Sequence, residues 1–265
     1  MKWNYNEDAM RTIVAVDTNP IQTVNAYTLL TYEVTGLNNY PIYNLKPNTR
    51  YYYKVTHTMA DGSLIEAKSG NFITSDETWR LIYIDGTQNV RDLGGWSGLN
   101  GKRVKYGKIF RGASLSDSSF PELIVTGEGR RSLGELKVTA ELNLGADDTD
   151  TSIASNCAYF KVGYRNYATA ITDATARANF KLILEKIVSW LSESNPRNIY
   201  MHCQGGCDRT GTLSFLLLGL LGVSESDLAK EYELSSFSPI GQGRRRDSTT
   251  YDYKGLVEAI KAYNG

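Results

Sequence analysis

Ten consecutive residues, His202 to Gly211, bring a cysteine, two adjacent glycines and an arginine together in the sequence HCQGGCDRTG. Cys203 and Arg209 stand six positions apart. A cysteine thiolate is a strong nucleophile, and the planar guanidinium of arginine binds two phosphate oxygens at once. This pair at this spacing indicates displacement at phosphorus, with Cys203 as the nucleophile and Arg209 as the group that binds the phosphate.

The residues between this cysteine and arginine form a loop that suits an anion. Gly205 and Gly206 have no Cβ, so the backbone can curl and turn several N–H groups inward. A helix is predicted directly after the loop, and its N-terminus adds unpaired N–H groups and partial positive charge. Because such charge stabilises a thiolate, we expect Cys203 to be ionised at neutral pH. The predicted phosphate loop comprises Gln204, Gly205, Gly206, Cys207 and Thr210.

Three other polar residues of this segment are assigned roles beside the nucleophile. Asp208 would lie next to two anions, the thiolate and the phosphate, so we expect it to hold a proton and donate it to the leaving group. Water then attacks the phosphocysteine, and Asp208 accepts a proton. Thr210 is expected to donate its hydroxyl to the thiolate, and His202 to orient the cysteine through hydrogen bonds in the loop.

The assignment of Asp208 has alternatives. A carboxylate at this position also stabilises a helix dipole without taking part in chemistry. Rival acids on predicted loops are Asp147, Asp148, Asp150 and Asp173. Cys207 raises a separate hypothesis, a disulfide with Cys203 under oxidation, because redox-sensitive thiols are often near a second cysteine.

The loop requires a strand before it and a helix after it, and the flanking sequence predicts both. Apolar residues indicate a buried strand over 198–201 and a buried helix over 212–221. Alternating strands and helices predict an α/β domain with a central sheet flanked by helices. The other elements predicted in this part of the chain are a strand over 138–144 and helices over 176–191 and 253–263.

The beginning of the chain has a different pattern, that of short strands rich in β-branched and aromatic residues. The run Leu45-x-Pro-x-Thr-x-Tyr51 resembles the corner of a fibronectin type III domain. We therefore expect an all-β sandwich over 1–76, with any other β-sandwich as the alternative, in front of an α/β domain over 77–265. The predicted strands cover 12–16, 26–34, 51–55 and 67–74, with a hairpin turn at Asp61-Gly62.

Four segments together resemble the protein tyrosine phosphatase superfamily, and within it an atypical bacterial branch with an aspartate in the Cys-x5-Arg loop. They are 89–95 (NVRDLGG), 110–116 (FRGASLS), 202–211 and 231–238 (EYELSSFS), and the resemblance spans residues 80–265. It implies a phosphocysteine intermediate with the loop aspartate as the acid, and some relatives also hydrolyse phosphoinositides or phosphoserine and phosphothreonine. Cys207 departs from the pattern, because relatives often have Lys or Ala there. Loss of a lysine weakens the attraction for highly charged inositol phosphates.

Charged residues outside the loop are expected to support it or to face solvent. Arg91 and Asp92 are predicted to form a structural ion pair, and Arg111 to support the site from behind. The run 244–246 (RRR) is expected to be solvated, with recruitment of an acidic substrate or an anionic lipid as the alternative. His57 is predicted to lie on the surface of the first domain.

The composition limits the classes of function. The chain has 265 residues with 29 Lys+Arg and 29 Asp+Glu, which argues against nucleic-acid binding. Two histidines and three cysteines, without a second ligand cluster, indicate no metal site, and we expect no cofactor. The apolar run 213–221 is shorter than the roughly 20 residues of a transmembrane helix. No signal-peptide pattern is present, so the chain as it stands is expected to be cytoplasmic, or secreted or at the cell surface if a signal was removed.

These features favour a hydrolase of phosphotyrosine in proteins or peptides. A phosphoinositide or inositol polyphosphate phosphatase is the alternative with the same chemistry. A non-catalytic module that reads phosphate or mediates adhesion is a second alternative, which is disfavoured because a pure binder needs no nucleophile. The sequence indicates no oligomeric state.

Overall fold

The chain divides into two units, Met1–Glu77 and Thr78–Gly265. A computed structural model describes residues 1–76, 79–145, 151–193 and 197–263. In this described part of the chain, no helix is both long and apolar enough to cross a membrane.

The first unit is built on one antiparallel sheet with the strand order β2-β1-β3-β4. Tyr51 and Val55 are buried on one face of β3, and the partly buried Tyr53 packs against the same apolar cluster, as their alternation predicts. The hairpin turn between β3 and β4 has Gly62 at a φ of +83°. The strands are β1 (Arg11–Asp17), β2 (Leu30–Glu33), β3 (Arg50–Thr58) and β4 (Leu64–Ile73).

Two expectations for this unit need correction. The second strand begins at Leu30 and not at residue 26, because the preceding residues form a turn in which the Thr28 amide donates to the Asn25 carbonyl (3.1 Å). His57 is buried and not on the surface, and its Nδ1 lies 2.8 Å from the Thr12 hydroxyl. A sandwich requires a second sheet facing the first. Residues 1–76 contain one sheet, so the sandwich stays a prediction.

The second unit has a mixed six-stranded sheet with the order β5-β6-β7-β10-β8-β9. Strands β7, β10, β8 and β9 are parallel, whereas β5 and β6 are antiparallel additions at one edge. The strands predicted over 138–144 and 198–201 are present as β8 and β10. The bounds are β5 (Arg80–Leu81), β6 (Arg91–Asp92), β7 (Ile109–Gly112), β8 (Ala140–Asn143), β9 (Ala158–Lys161) and β10 (Ile199–His202).

Helices accompany this sheet, and the one that follows β10 begins earlier than predicted. It starts at Arg209, three residues before the expected position, so the end of the Cys-x5-Arg segment belongs to its first turn. The α-helices are α1 (Gly127–Glu135), α2 (Thr169–Thr172), α3 (Ala174–Leu191), α4 (Arg209–Leu220), α5 (Glu225–Glu233) and α6 (Tyr253–Ala262). Short 3-10 helices cover Leu99–Gly101, Pro121–Leu123, Leu234–Phe237 and Pro239–Gly241.

Apolar side chains cover both faces of the sheet, as β10 illustrates. Ile199 and Met201 belong to the large cluster that contains residues of α3 and α4, whereas Tyr200 belongs to a second cluster with Leu133 of α1. Successive strand residues point to opposite faces, so helices lie on both sides of β10. The predicted α/β architecture with flanking helices is confirmed.

Candidate active site

Cys203 lies directly after β10, in the middle of the parallel part of the sheet. The chain leaves the neighbouring strands at the same edge, because parallel strands end on one side. Two backbone hydrogen bonds connect these segments: the Leu144 amide donates to the His202 carbonyl (2.8 Å), and the Ser114 amide to the Gln204 carbonyl (2.8 Å). Cys203 is 4% exposed. The nucleophile is therefore anchored from both sides and almost enclosed.

The loop after Cys203 carries backbone amides without partners. Among the described residues, none of the amides from Gln204 to Thr210 donates a hydrogen bond. The helical pattern begins only with Gly211, whose amide donates to the Cys207 carbonyl (3.0 Å), and Thr212, whose amide donates to the Asp208 carbonyl (2.8 Å). Free amides beside a helix N-terminus form an electropositive site that suits a phosphate group.

One glycine of the loop is required by geometry. Gly206 has a φ of +65°, and a Cβ there would collide with the carbonyl group of Gly112 at the end of β7. The carbonyl of Gly206 accepts a hydrogen bond from the guanidinium of Arg111. This contact ties the turn of the loop to the neighbouring strand, and the supporting role of Arg111 stays a prediction.

Behind the loop, Glu231 binds two buried arginines. Arg91 Nε donates to Glu231 Oε1 (2.7 Å), and Arg111 Nη1 donates to Glu231 Oε2 (2.9 Å). Burial by itself raises the pKa of Glu231, but the charges of Arg111 and Arg91 bring it below its ordinary value. Burial and the neighbouring Arg111 lower the pKa of Arg91 to about 10. We call Glu231, Arg91 and Arg111 the buried charge cluster.

The predicted ion pair between Arg91 and Asp92 is wrong. Consecutive strand residues point to opposite faces, so the two side chains diverge. Arg91 binds Glu231 on one side, whereas Asp92 accepts a hydrogen bond from Arg80 Nη1 (3.0 Å) and from the amides of Gly94 and Gly107 (2.9 and 2.8 Å) on the other. Burial raises the pKa of Asp92, and these contacts oppose the shift.

Asp208, the proposed acid, forms an ion pair with Arg244, a neighbour that the sequence analysis did not predict. Arg244 donates from Nη2 to Oδ2 (3.0 Å) and from Nε to Oδ1 (3.3 Å), and the Tyr167 hydroxyl also donates to Oδ1. The Arg244 guanidinium stacks on the Tyr251 ring at 3.8 Å from its centroid. Its side chain is 14% exposed, so the expected solvation of the 244–246 run is wrong for this residue.

The other two arginines of that run do face solvent. Arg245 pairs with Asp247, and Arg246 pairs with Glu233, with side chains that are 67% and 45% exposed for the two arginines. The expectation of a solvated run holds for these two positions. Arg244 differs because the turn before it brings its side chain to Asp208.

His202 is buried and fixed by a carboxylate that sequence reasoning missed. His202 Nε2 lies 3.0 Å from Glu141 Oε1, and Nδ1 lies 3.3 Å from the Cys203 carbonyl. Glu141 lies in β8, next to β10, and is fully buried. A glutamate in the middle of an apolar strand was a signal for such a partner. The orienting role of His202 stays a prediction.

Arg209 and Thr210 occupy the first turn of α4. Arg209 is partly exposed, and its Nη1 donates to the Leu144 carbonyl at 3.4 Å. The hydroxyl of Thr210 is buried and has no hydrogen-bond partner among the described residues, so the predicted bond to the Cys203 thiolate is not formed. The earlier start of α4 explains the difference, because it places Thr210 within the helix rather than in the loop.

Cys207 is a buried residue of the loop with neutral contacts. Its thiol donates to the Gly205 carbonyl (3.1 Å) and receives a hydrogen bond from Asn89 Nδ2 (3.2 Å). Burial raises the pKa of Cys207 to about 11, which disfavours the thiolate that disulfide exchange requires. Gln204, the exposed member of the loop, donates from Nε2 to Asp117 Oδ2 (3.0 Å).

Of the rival acids, only Asp173 lies in the described part of the chain. Its side chain caps α3 by accepting a hydrogen bond from the Ala176 amide (2.7 Å). The other three, Asp147, Asp148 and Asp150, lie outside the described residues. The structure places Cys203 directly after β10 and Asp208 and Arg209 at the start of α4, and it gives Asp173 a capping contact.

The arrangement of strand, amide loop and helix is a phosphatase-like α/β fold. The sequence profile described as "Tyrosine phosphatase family" matches residues 82–255. The match covers more than half of the chain, and the chain belongs to this family.

Two relatives are similar to parts of the chain. A protein of Cupriavidus necator that is named as a tyrosine-protein phosphatase is 24% identical over 172 residues, which cover 57% of this chain and 61% of the relative. The chain thus spans less than two thirds of the length of this curated relative. The core catalytic domain of the PP-IP phosphatase SIW14 from S. cerevisiae, solved in complex with citrate, has a TM-score of 0.37 and 19% identity. It covers 69% of this chain and 96% of its own.

Proposed function

We propose that the second unit hydrolyses phosphotyrosine in proteins or peptides through a phosphocysteine intermediate on Cys203. The observation that carries the proposal is the run of unpaired amides from Gln204 to Thr210 that follows this cysteine. Such amides bind phosphate oxygens and stabilise the thiolate. Arg209, at the start of α4, adds a guanidinium that can bind two more oxygens.

The reaction has two steps. First, Cys203 Sγ attacks phosphorus, the S–P bond forms, and the bond between phosphorus and the tyrosine oxygen breaks with its electron pair on oxygen. Asp208 gives the leaving oxygen a proton. Second, water attacks phosphorus and loses a proton to Asp208, the S–P bond breaks, and phosphate and the thiolate are released. The loop amides balance the charge on the phosphoryl oxygens throughout.

Asp208 is assigned as the proton donor and acceptor because it lies in the loop, whereas Asp173 is engaged in capping α3. Both of its carboxylate oxygens accept hydrogen bonds from Arg244, and we assign the same carboxylate as the acceptor of the proton of water in the second step. With this assignment, we propose that the chain belongs to the branch with a loop aspartate.

We further propose that residues 1–76 form a fibronectin type III-like domain and 77–265 the phosphatase domain. The hydroxyl of Tyr51 accepts a hydrogen bond from the Lys46 amide (3.0 Å), the contact that defines a tyrosine corner in immunoglobulin-like sandwiches. This bond and the four antiparallel strands support the proposal. We assign this first unit as a spacer or adhesion module.

Hydrolysis of p-nitrophenyl phosphate in EDTA tests the chemistry. The wild type is expected to be active, Cys203→Ser inactive, and Cys157→Ser, a buried cysteine away from the loop, active. Activity in Cys203→Ser would reject the mechanism. A panel of phosphotyrosine peptides and phosphoinositides tests the substrate class. A higher kcat/KM for the lipids or for inositol polyphosphates would replace phosphotyrosine with the alternative substrate.

A further inference from the structure

A groove lies at the end of α4 that is opposite to the phosphate loop. The groove of about 440 Å³ is lined by residues of the 99–109 segment and by the C-terminal end of α4. The segment begins as a hairpin, in which the Gly95 amide donates to the Val104 carbonyl and the Val104 amide to the Trp96 carbonyl, both at 2.8 Å. Trp96 is buried beneath it. Backbone hydrogen bonds and a buried anchor therefore hold this wall in place.

The groove exposes large apolar side chains from both walls. Leu99 is 63% exposed at the tip of the hairpin, and Leu220 and Leu221 are 62% and 49% exposed at the end of α4. The Leu99 amide donates to the Leu221 carbonyl (2.9 Å), which joins the two walls. Exposed apolar surface of this kind, rimmed by polar groups, is typical of an interaction site.

The rim of the groove is basic. Lys102, Arg103, Lys105 and Lys108 line it, and none of the lining residues is acidic. The three lysines form no ion pair with any residue that the structure describes. Lysine ammonium groups are hydrated point charges on flexible stems, so they suit a diffuse negative surface better than one carboxylate in fixed geometry. This charge complementarity favours an anionic lipid surface over an acidic peptide.

We propose that this groove is a docking surface for anionic membranes. Leu99 and Leu220 enter the boundary between headgroups and acyl chains, and the lysines contact lipid phosphates. Helix α4 has 12 residues and is about 18 Å long. The phosphate loop is at its other end, so docking through the groove leaves Cys203 accessible to substrates outside the lipid surface. The groove goes beyond the proposed function, because no residue of the phosphate loop lines it.

Co-sedimentation of the full chain with vesicles tests the proposal. The probes are vesicles of phosphatidylcholine alone and of phosphatidylcholine with phosphatidylglycerol, at low and at high salt. We expect binding to the anionic vesicles only, with release by salt. Each cation near an anionic surface contributes about fivefold to the partition coefficient, so Lys102→Glu/Lys105→Glu is expected to lower it by at least about 25-fold. Leu220→Ser is also expected to lower binding.

Matched control variants are available on α3. Lys181 and Leu182 are exposed and do not line the groove, so Lys181→Glu and Leu182→Ser are expected to bind like the wild type. Hydrolysis of p-nitrophenyl phosphate in solution, measured on the same samples, is expected to be unchanged in every groove variant. Loss of vesicle binding with full activity separates this inference from the proposed function.

Several outcomes would overturn the proposal. Equal binding to both kinds of vesicle, no binding to either, or unchanged binding of Lys102→Glu/Lys105→Glu would each reject an anionic lipid surface as the partner. Binding that depends on the lysines but not on Leu220 would reject insertion. A dimer in gel filtration that Leu220→Ser dissociates would show that a second copy of the chain covers the groove instead.

Discussion

Replacement of Glu231 by glutamine tests whether the buried charge cluster supports the phosphate loop. The side chains of Glu231, Arg91 and Arg111 are at most 2% exposed. Glutamine keeps the shape but leaves two guanidinium groups buried beside a neutral amide. Removal of one partner from a buried ion pair costs about 3–5 kcal/mol. This loss is a large part of the roughly 5–15 kcal/mol that stabilises a whole domain.

Calorimetry measures the expected loss. In a unit of this size, about 1 kcal/mol corresponds to a change of roughly 2–4 °C in Tm. Glu231→Gln is therefore expected to lower the Tm of the phosphatase unit by about 6–20 °C. Glu233→Gln is the matched control on α5, because it removes a half-exposed pair with Arg246 that contributes at most about 1 kcal/mol. Equal shifts in the two variants would refute the argument.

The same replacement is expected to lower kcat/KM at temperatures at which both proteins are folded. Arg111 binds Glu231 and also donates to the carbonyl of Gly206, so loss of the carboxylate frees the guanidinium that fixes the turn of the loop. Unchanged kcat/KM in folded Glu231→Gln would show that the loop keeps its shape without this support.

The buried carboxylate of Glu231 also contributes to the pH dependence of stability. Burial by itself raises the pKa of Glu231, but Arg111 and Arg91 bring it below the ordinary 4.5. Because the folded-state pKa is below the unfolded one, ionised Glu231 contributes its full stability above pH 4.5 and loses it as the pH falls through the folded-state pKa. The difference in stability between wild type and Glu231→Gln is therefore expected to shrink in acid. A difference that grows in acid would contradict this sign.

Two further predictions concern the loop itself. Gly206→Ala is expected to destabilise the unit by about 1–3 kcal/mol and to lower activity, because its φ is +65° and its Cβ would collide with the end of β7. Gly205→Ala is the control, because the atoms nearest to its added Cβ belong to side chains and not to the backbone. Thermal unfolding in which Gly205→Ala is less stable than Gly206→Ala would refute the argument. Iodoacetamide at neutral pH is expected to label Cys203 first, because burial raises the pKa of Cys157 and Cys207 to about 11. Mass spectrometry that finds Cys207 labelled equally fast would contradict this order.

The strand, the loop and the helix around Cys203 could be predicted because the residues that specify them are close together in the sequence. An apolar run, a pair of glycines and a second apolar run specify β10, the loop and α4 within a short stretch of chain. The sequence prediction starts α4 too late because it follows the apolar run that begins at residue 212, although Asp208 is of a residue type that often caps helices. It stands at the N-cap position but makes no side-chain hydrogen bond to the helix, since its carboxylate binds Arg244 and Tyr167 instead.

The partners of the buried charges could not be predicted, because they come from distant parts of the chain. Arg91 and Glu231 are 140 residues apart, and Glu141 and His202 are 61 apart. A glutamate on the apolar side of a helix, next to the buried Leu228 and Tyr232, indicates that some cation must face it. The pattern does not identify that cation. Of two consecutive charged residues in a strand, either one can face the interior of the protein.

The ion pair between Asp208 and Arg244 bears on the choice of substrate under the proposed mechanism. Both carboxylate oxygens of Asp208 accept hydrogen bonds from Arg244, so a proton for the leaving group would have to displace one of these contacts. The phenolic oxygen of tyrosine, with a pKa of about 10, leaves as an anion more readily than the alkoxide of an inositol ring and needs less help from an acid. Arg244 is also already paired, so it adds no free cation for a second phosphate. Both effects favour phosphotyrosine over a multiply phosphorylated inositol.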